Sequence, residues 1–433
     1  MQTIQFPPGP KDALTSVFAM RRDPVEFFTG LAREHGDISH FHLGSQNAFL
    51  LNHPDMIKEV LVGKDRNFTK WFANARLVEV LGQGLFVSEG AYHARQRKLS
   101  QPAFHRQRIA GYADTMVKIA VRVRDRWQDG VPVDVGAEMN WLAMIIVADT
   151  LFGADLEAEA TEISGALSEV LKMLEKSTLA ESDVPDFDRA RIRLDESVLR
   201  IIQDRRARGG DTGDLLSMLL AAKDEDGTGM SDTELRDEAM TIFLAGHETT
   251  ANALMWTWYA ISQTPEVEEK LHAVVDSVLA GKLPTLDDVP RLKYVEMVFA
   301  EGLRLYPPVW IVGRRAIADC EIGGWKIPAE SIVLLSQYIT QRDARFFSEP
   351  EKFDPERWTQ EAEAARPKYS YFPFSSGSRQ CLGEPFAWME GVLAIAVLAQ
   401  KWRLSLVPGH RVVMAPQLTL RSKYGMRMIP SAR

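Results

Sequence analysis

Phe374-Ser375-Ser376-Gly377-Ser378-Arg379-Gln380-Cys381-Leu382-Gly383 is the stretch on which the reading of this chain turns. It holds one of only two cysteines in 433 residues, in a loop that glycines make tight and that the apolar run after Pro385 closes. A metal-ligating thiolate needs such a setting, screened from water and steadied by backbone N–H groups that glycines let approach. Arg379, two residues before the sulfur, brings positive charge for an anionic group beside the metal. Taken by itself Cys381 could equally be a buried structural thiol. Phe374, Gly377, Arg379 and Gly383 at fixed offsets favour the ligand.

The rest of the chain must make a home for that loop. With 45% hydrophobic and 25% charged residues the composition is that of an ordinary globular protein. A formal charge of -8 argues against bulk nucleic-acid binding and suits solubility. Cys320 and Cys381 lie far apart and outside any CxxC pattern, which excludes a disulfide framework and fits a reducing, cytoplasmic compartment. The start, Met1-Gln2-Thr3-Ile4-Gln5-Phe6-Pro7-Pro8-Gly9-Pro10, shows no signal peptide. No uninterrupted apolar run reaches bilayer length, so no transmembrane anchor is expected.

Helical periodicity dominates from about Asp114 to Val278, whereas Phe41–Leu51, Ala316–Leu335 and Trp402–Met428 alternate as strands with glycine turns. The expected architecture is a mainly α fold with small β-sheets, one domain over residues 1–433. Loops are expected at Glu181–Asp186 and Lys223–Gly229. Ser231-Asp232-Thr233-Glu234 is a capping box opening a long apolar helix that Pro265 ends. About thirty residues at roughly 1.5 Å each would carry that helix through the middle of a domain.

At the centre of the long helix, Ala245-Gly246-His247-Glu248-Thr249-Thr250 puts small residues, an acid and hydroxyls where a buried helix wants leucine. Threonine can hydrogen-bond the carbonyl one turn back, so a kink or bulge is expected. Helix packing through small residues is one reading of this stretch; a groove for a diatomic ligand is the other. Farther on, Glu301 and Arg304 share a helix face, which alone would read as a surface salt bridge. Phe353-Asp354-Pro355-Glu356-Arg357-Trp358 follows, just before the cysteine loop.

Together these motifs, in this order and over essentially the whole chain, resemble the cytochrome P450 family: the cysteine loop, AGxET, ExxR and the later arginine. The resemblance implies the cytochrome P450 fold, with haem b between the long helix and the cysteine loop and Cys381 as axial iron ligand. Around that cofactor it places Phe374, Gly377, Gly383 and Ala245. It also implies that Thr249 hydrogen-bonds dioxygen while Glu248 relays protons, and that Glu301, Arg304 and Arg357 form a structural network. His93 and Arg97, four apart on one helix face, would meet the haem propionates with Arg379 and Arg314, although tryptophan commonly stands where this chain has His93. Arg315 could take the place of Arg314. Val309, Trp310, Ile311 and Val312 would line an apolar substrate pocket with Ala245, unless they are ordinary core, and residues from Leu167 to Arg205 would supply a lid.

The implied activity is that of a soluble bacterial-type haem-thiolate monooxygenase, which inserts one oxygen atom from O2 into a fatty acid, terpenoid or similar apolar molecule. Electrons would come from NAD(P)H through a separate ferredoxin or flavodoxin, since no reductase domain follows the haem loop. Arg95 and Lys98, expected to face solvent, would be either a solvated face or that donor's docking patch. A peroxide-using peroxygenase and a non-catalytic haem sensor are the alternatives; the Glu248–Thr249 pair counts against both.

Overall fold

The computed structural model describes residues 5–10, 12–71, 77–153, 157–174, 184–210 and 212–433. They group into two compact units: Met1–Ala73 with Ala300–Cys381 and Met414–Arg421, and Asn74–Phe299 with Leu382–Val413 and Ser422–Arg433.

The first unit is built on a five-stranded sheet. Strands β1 (Ile38–Leu43) and β2 (Gln46–Leu51) form a hairpin around Gly44, in register Phe41↔Ala48. Strand β3 (Phe68–Trp71) lies at the other edge, beyond β4 (Val312–Ala316) and β5 (Ile332–Leu335), giving the order β1-β2-β5-β4-β3. The central strand β5 runs parallel to β2 and reads Ile-Val-Leu-Leu without alternation because every residue is buried. Apolar clusters cover both faces, one around Phe49, Val333 and Phe372, the other around Phe41, Trp310 and Leu334.

The second unit is helical, with a three-stranded sheet of Val133–Asp134, Arg427–Ala432 and Trp402–Leu406. Its axis is the 31-residue helix Asp232–Ser262. Ser231 Oγ accepts the Glu234 N–H at 3.2 Å and the Glu234 carboxylate accepts the Ser231 N–H at 2.8 Å, so the capping box closes at both bonds. The helix ends at Ser262, and Pro265 opens the next one at a position where a missing N–H costs nothing. Helix Val135–Phe152 packs along it. A Cβ on Gly246 would fall 2.8 Å from a Val147 methyl, so this glycine serves close helix approach.

Two expectations change. The long helix stays α-helical through Gly246–Thr250 with no bulge: the Thr249 hydroxyl donates to Ala245 O at 2.5 Å without breaking it. Val184-Pro185-Asp186 is not loop but the first turn of helix Val184–Arg208, where proline is tolerated, while Glu181–Asp183 lies outside the described residues. Helix Val135–Phe152 is long and apolar enough to cross a membrane by length and composition, yet 67% of it is buried in the protein and Glu138 and Asp149 interrupt it. Lys223–Gly229 is a loop, closed by a bridge between its ends.

Candidate active site

The cysteine loop is held by its own backbone. Ser375 and Gly377 adopt left-handed conformations, with φ 60° and 69°. At Gly377 a side chain is impossible, because a Cβ would lie 1.9 Å from Leu61 O. The turn returns the Gln380 N–H to Gly377 O at 3.1 Å and the Cys381 N–H to Phe374 O at 3.0 Å. Cys381 is left exposed at the end of this rigid turn, while Gly383 is the N-cap of helix Glu384–Ala399. The other cysteine differs in every respect. Cys320 sits half-buried in a short strand, and burial pushes its thiol up from its ordinary value, away from the reactive form.

Behind that loop Glu301 and Arg304 are fully buried and joined by two 2.8 Å bonds, so the pair is no surface salt bridge. The Glu301 carboxylate also accepts Arg357 Nε at 3.3 Å, the Asp354 N–H at 2.9 Å and Trp358 Nε1 at 3.0 Å. Arg304 donates onward to the carbonyls of Gln341, Pro350 and Lys352. Gln341, which the motif reading missed, links this network to the cysteine segment. Its amide donates to Leu303 O and Arg304 O and accepts the Phe372 N–H at 3.2 Å, two residues before Phe374.

In the second unit, the long helix is buried almost all round, but Ala245 is exposed, and Ile242, Gly246 and Thr249 around it are half-buried. These positions make a stripe at i, i+3, i+4 and i+7, one face of a helix. Glu248 and His247 lie off that stripe and are buried. The result is a smooth face of small side chains with one hydroxyl, bordered by an acid.

Of the expected cations, His93 is buried and Arg97 half-buried on helix Gly90–Ser100. Two neighbours in the first unit differ in setting: Arg314 is buried with its guanidinium on Gly313 O, whereas the Arg315 side chain is 41% exposed and turns toward Glu330. Arg379 is half-buried in the cysteine loop. Arg95 overturns its expectation. It does not face solvent but binds Asp224 at 2.9 Å, Glu234 at 2.8 Å and Gly229 O, whereas Lys98 faces solvent as expected, 65% exposed, and pairs there with Glu225. The Asp224 and Glu234 carboxyls are both held below their ordinary range, Asp224 by its bond from Arg95 and Glu234 by Ser231 and Arg95, against burial that raises it.

Trp310 is committed to the core, its indole N–H donating to Gln417 O at 2.9 Å, while Val309, Ile311 and Val312 are half-buried. The segment expected as a lid is two helices, Glu157–Leu174 and Val184–Arg208, with residues 175–183 outside the described part. Arg205 at its far end is an anchor, bound to Asp214, Ser217 and Phe152 O.

Among the described residues no group of three or more histidines, cysteines or carboxylates could hold a metal ion. A single exposed thiol on a rigid turn fits a metal whose other ligands come from a prosthetic group. The chain is matched by the family model "Cytochrome P450" over residues 7–427. It is 39% identical to cyclooctatin synthase of Streptomyces melanosporofaciens, over 98% of this chain and 95% of that one. To cyclooctat-9-en-7-ol 5-monooxygenase of the same organism the identity is 36%, over 93% and 90%. Among solved structures, the haem domain of cytochrome P450DA superposes with a TM-score of 0.89 at 26% identity, covering 99% of this chain and 98% of that one. Family membership brings haem, dioxygen, an apolar substrate and the need for a redox partner. The chain thus belongs to the cytochrome P450 family, and it is a monooxygenase.

Proposed function

We propose that Cys381 ligates the iron of haem b and that residues 1–433 act as one haem-thiolate domain hydroxylating or epoxidising a terpenoid-class substrate. The carrying observation is the exposed Cys381 thiol on a turn whose glycine cannot be replaced. Haem b supplies, when bound, dioxygen activation and transfer of one oxygen atom to a C–H or C=C bond.

The chain's own residues do the rest. Phe374, Gly377 and Gly383 shape the turn that shields the thiolate, and the Glu301–Arg304–Arg357 network fixes the segment leading to it. His93, Arg97, Arg379 and Arg314 neutralise the two propionates, Arg314 being preferred to Arg315 because it is the buried one. Ala245 and Gly246 leave room on the helix face. Thr249 Oγ1, which donates to Ala245 O while at rest, would turn to hold a proton at the helix face, and the Glu248 carboxyl, after taking a proton from solvent, would replace it. Val309, Ile311 and Val312, with Ala245 and the indole of Trp310 behind them, orient the substrate by shape. An unsaturated carbocyclic alcohol fits such an apolar face, and the relative named as a cyclooctat-9-en-7-ol 5-monooxygenase supports that class. Electrons come from NAD(P)H through a ferredoxin or flavodoxin in the bacterial cytoplasm.

The test is the absorption spectrum of the reduced protein under carbon monoxide. A strongly red-shifted Soret band is expected, lost in Cys381→Ala together with oxygenation; a red-shifted band that survives this change would sink the ligand assignment. Thr249→Ala should keep that band but divert reducing equivalents to peroxide, and tight coupling in this variant would remove Thr249 from proton delivery.

A further inference from the structure

Arg236, Asp237 and Glu238 follow one another on the long helix, and all three are buried, with 7%, 5% and 1% of their surface exposed. Such residues are almost never buried unless paired. Here the partners come from two directions. The Asp237 carboxylate accepts the Gln83 N–H at 2.7 Å and Arg236 Nη1 at 2.8 Å, and Glu238 accepts the Leu85 N–H at 3.2 Å. Through its other nitrogen Arg236 binds Asp195 on helix Val184–Arg208, a carboxylate also gripped by Arg191 at 3.2 Å.

The partner turn is shaped to lie flat on the helix. A Cβ on Gly82, whose φ is 57°, would fall 2.2 Å from the Asp237 carboxylate. One on Gly84 would fall 2.2 Å from Thr241 Oγ1 and 2.5 Å from Asp237 O. Backbone donors therefore reach Asp237 and Glu238 directly. Ile242, Ala245 and Thr249 follow Glu238 at i+4, i+7 and i+11, so the turn rests on the helix face that carries Ala245, about 10 Å along the axis.

We propose that Asp237 is a positioning residue: with Arg236 and Asp195 it couples the glycine turn 82–85 to helix Val184–Arg208, so that loosening either segment loosens the other and alters which apolar substrates reach the Ala245 face. Only the last clause rests on the proposed function. The coupling itself rests on the ion pairs and hydrogen bonds. Asp195 touches nothing in the turn, yet Arg236 makes the two carboxylates share one cation.

Asp237→Asn, Asp195→Asn and the double variant, each as haem-loaded full chain, test this by amide hydrogen exchange and by substrate kinetics. Asp237→Asn should speed exchange at 82–87 and 190–200 by about tenfold, the effect of weakening one charge-assisted bond. Asp195→Asn should speed exchange at 82–87 as well, and the double variant should add little to Asp237→Asn. Both single variants should raise KM several-fold with little change in kcat, and leave the carbon monoxide spectrum as it is. Unchanged exchange at 82–87 in Asp195→Asn, or additive effects in the double variant, overturns the coupling. Coupled exchange with unaltered KM overturns the substrate clause alone. Should Asp237→Asn fail to fold, Asp195→Asn decides, since Asp195 is partly exposed and its loss leaves the turn's own hydrogen bonds in place.

Discussion

Two clusters of buried charge, around Glu301–Arg304 in the first unit and around Arg236–Glu238 in the second, are finished differently. Glu301 receives donors on both oxygens from a bidentate arginine, a second arginine, an indole and a backbone N–H. Arg304 sends its remaining donor capacity to three carbonyls. In the second cluster one Glu238 oxygen takes the Leu85 N–H, while the other and the nearby Thr241 hydroxyl have no partner among the described residues. Burial pushes the Glu238 carboxyl up to about 7, with the like charges of Asp237 and Glu234 adding to it and the Leu85 N–H opposing it. A satisfied cluster locks a segment in one arrangement; an unfinished one stores a response to protons and to neighbours.

The sharpest way to break this comparison is Arg304→Ala. It leaves Glu301 buried without its bidentate partner and should cost about 3–5 kcal/mol, read as lower urea resistance and loss of haem. A double replacement, Glu301→Leu with Arg304→Met, should recover part of that loss, because two apolar side chains remove the unpaired charge. Stability within about 1 kcal/mol of the parent in Arg304→Ala would mean that neither the ion pair nor Arg304's bonds to the three carbonyls hold the segment.

Glu238 supplies the next effect, and its sign follows from the raised pKa. From an ordinary 4.5 the folded carboxyl rises to about 7, so the folded state binds a proton more tightly than the unfolded one. Its stabilising contribution is present below about 4.5 and is lost as pH rises toward 7 and beyond. The charges facing it are Asp237 and Glu234 on its own helix and the Tyr92 hydroxyl, itself pushed up mainly by burial and by Glu234. Glu238→Gln should flatten the stability profile across this window and be the more stable protein at pH 8, by up to about 3 kcal/mol. Parallel profiles for parent and variant would show that Glu238 is solvated and the cluster complete.

These clusters were unequally legible. Glu301, Arg304 and Arg357 are visible as motif residues, and the cysteine loop follows from its glycines and Arg379. Gln341 is invisible because a glutamine carries no spacing signal. What makes it matter is the long-range pairing that brings its amide between Leu303 O and the Phe372 N–H. The Arg236-Asp237-Glu238 run did offer a signal. Three consecutive helical residues spread over more than half the circumference, so one at least must turn inward on a helix already judged buried. Arg95 misled because helical spacing gives direction but not what lies there; Asp224 arrives from a loop 129 residues away.

The Arg95 site sharpens the comparison at smaller cost. Its guanidinium ties Asp224 and Glu234 to helix Gly90–Ser100 while 28% of the side chain remains exposed. Arg95→Ala should destabilise by about 2 kcal/mol, with salt reducing the difference as screening sets in. Were docking its purpose, the variant would instead keep its stability and lose electron-transfer rate.

Ser231→Ala should have the smallest effect, about 1 kcal/mol, since it removes one of the two capping-box bonds from an exposed helix start. Its value lies in combination. Glu234 uses one oxygen for the Ser231 N–H and the other for Arg95 and Gln96, so the cap and the ion pair meet in one carboxylate. If that carboxylate is held by both together, Ser231→Ala and Arg95→Ala combined should cost less than their sum, because the first loss already frees Glu234 to move. Strict additivity in thermal unfolding would show the helix start to be fixed by packing of Leu235 and its neighbours, with the polar network a passenger.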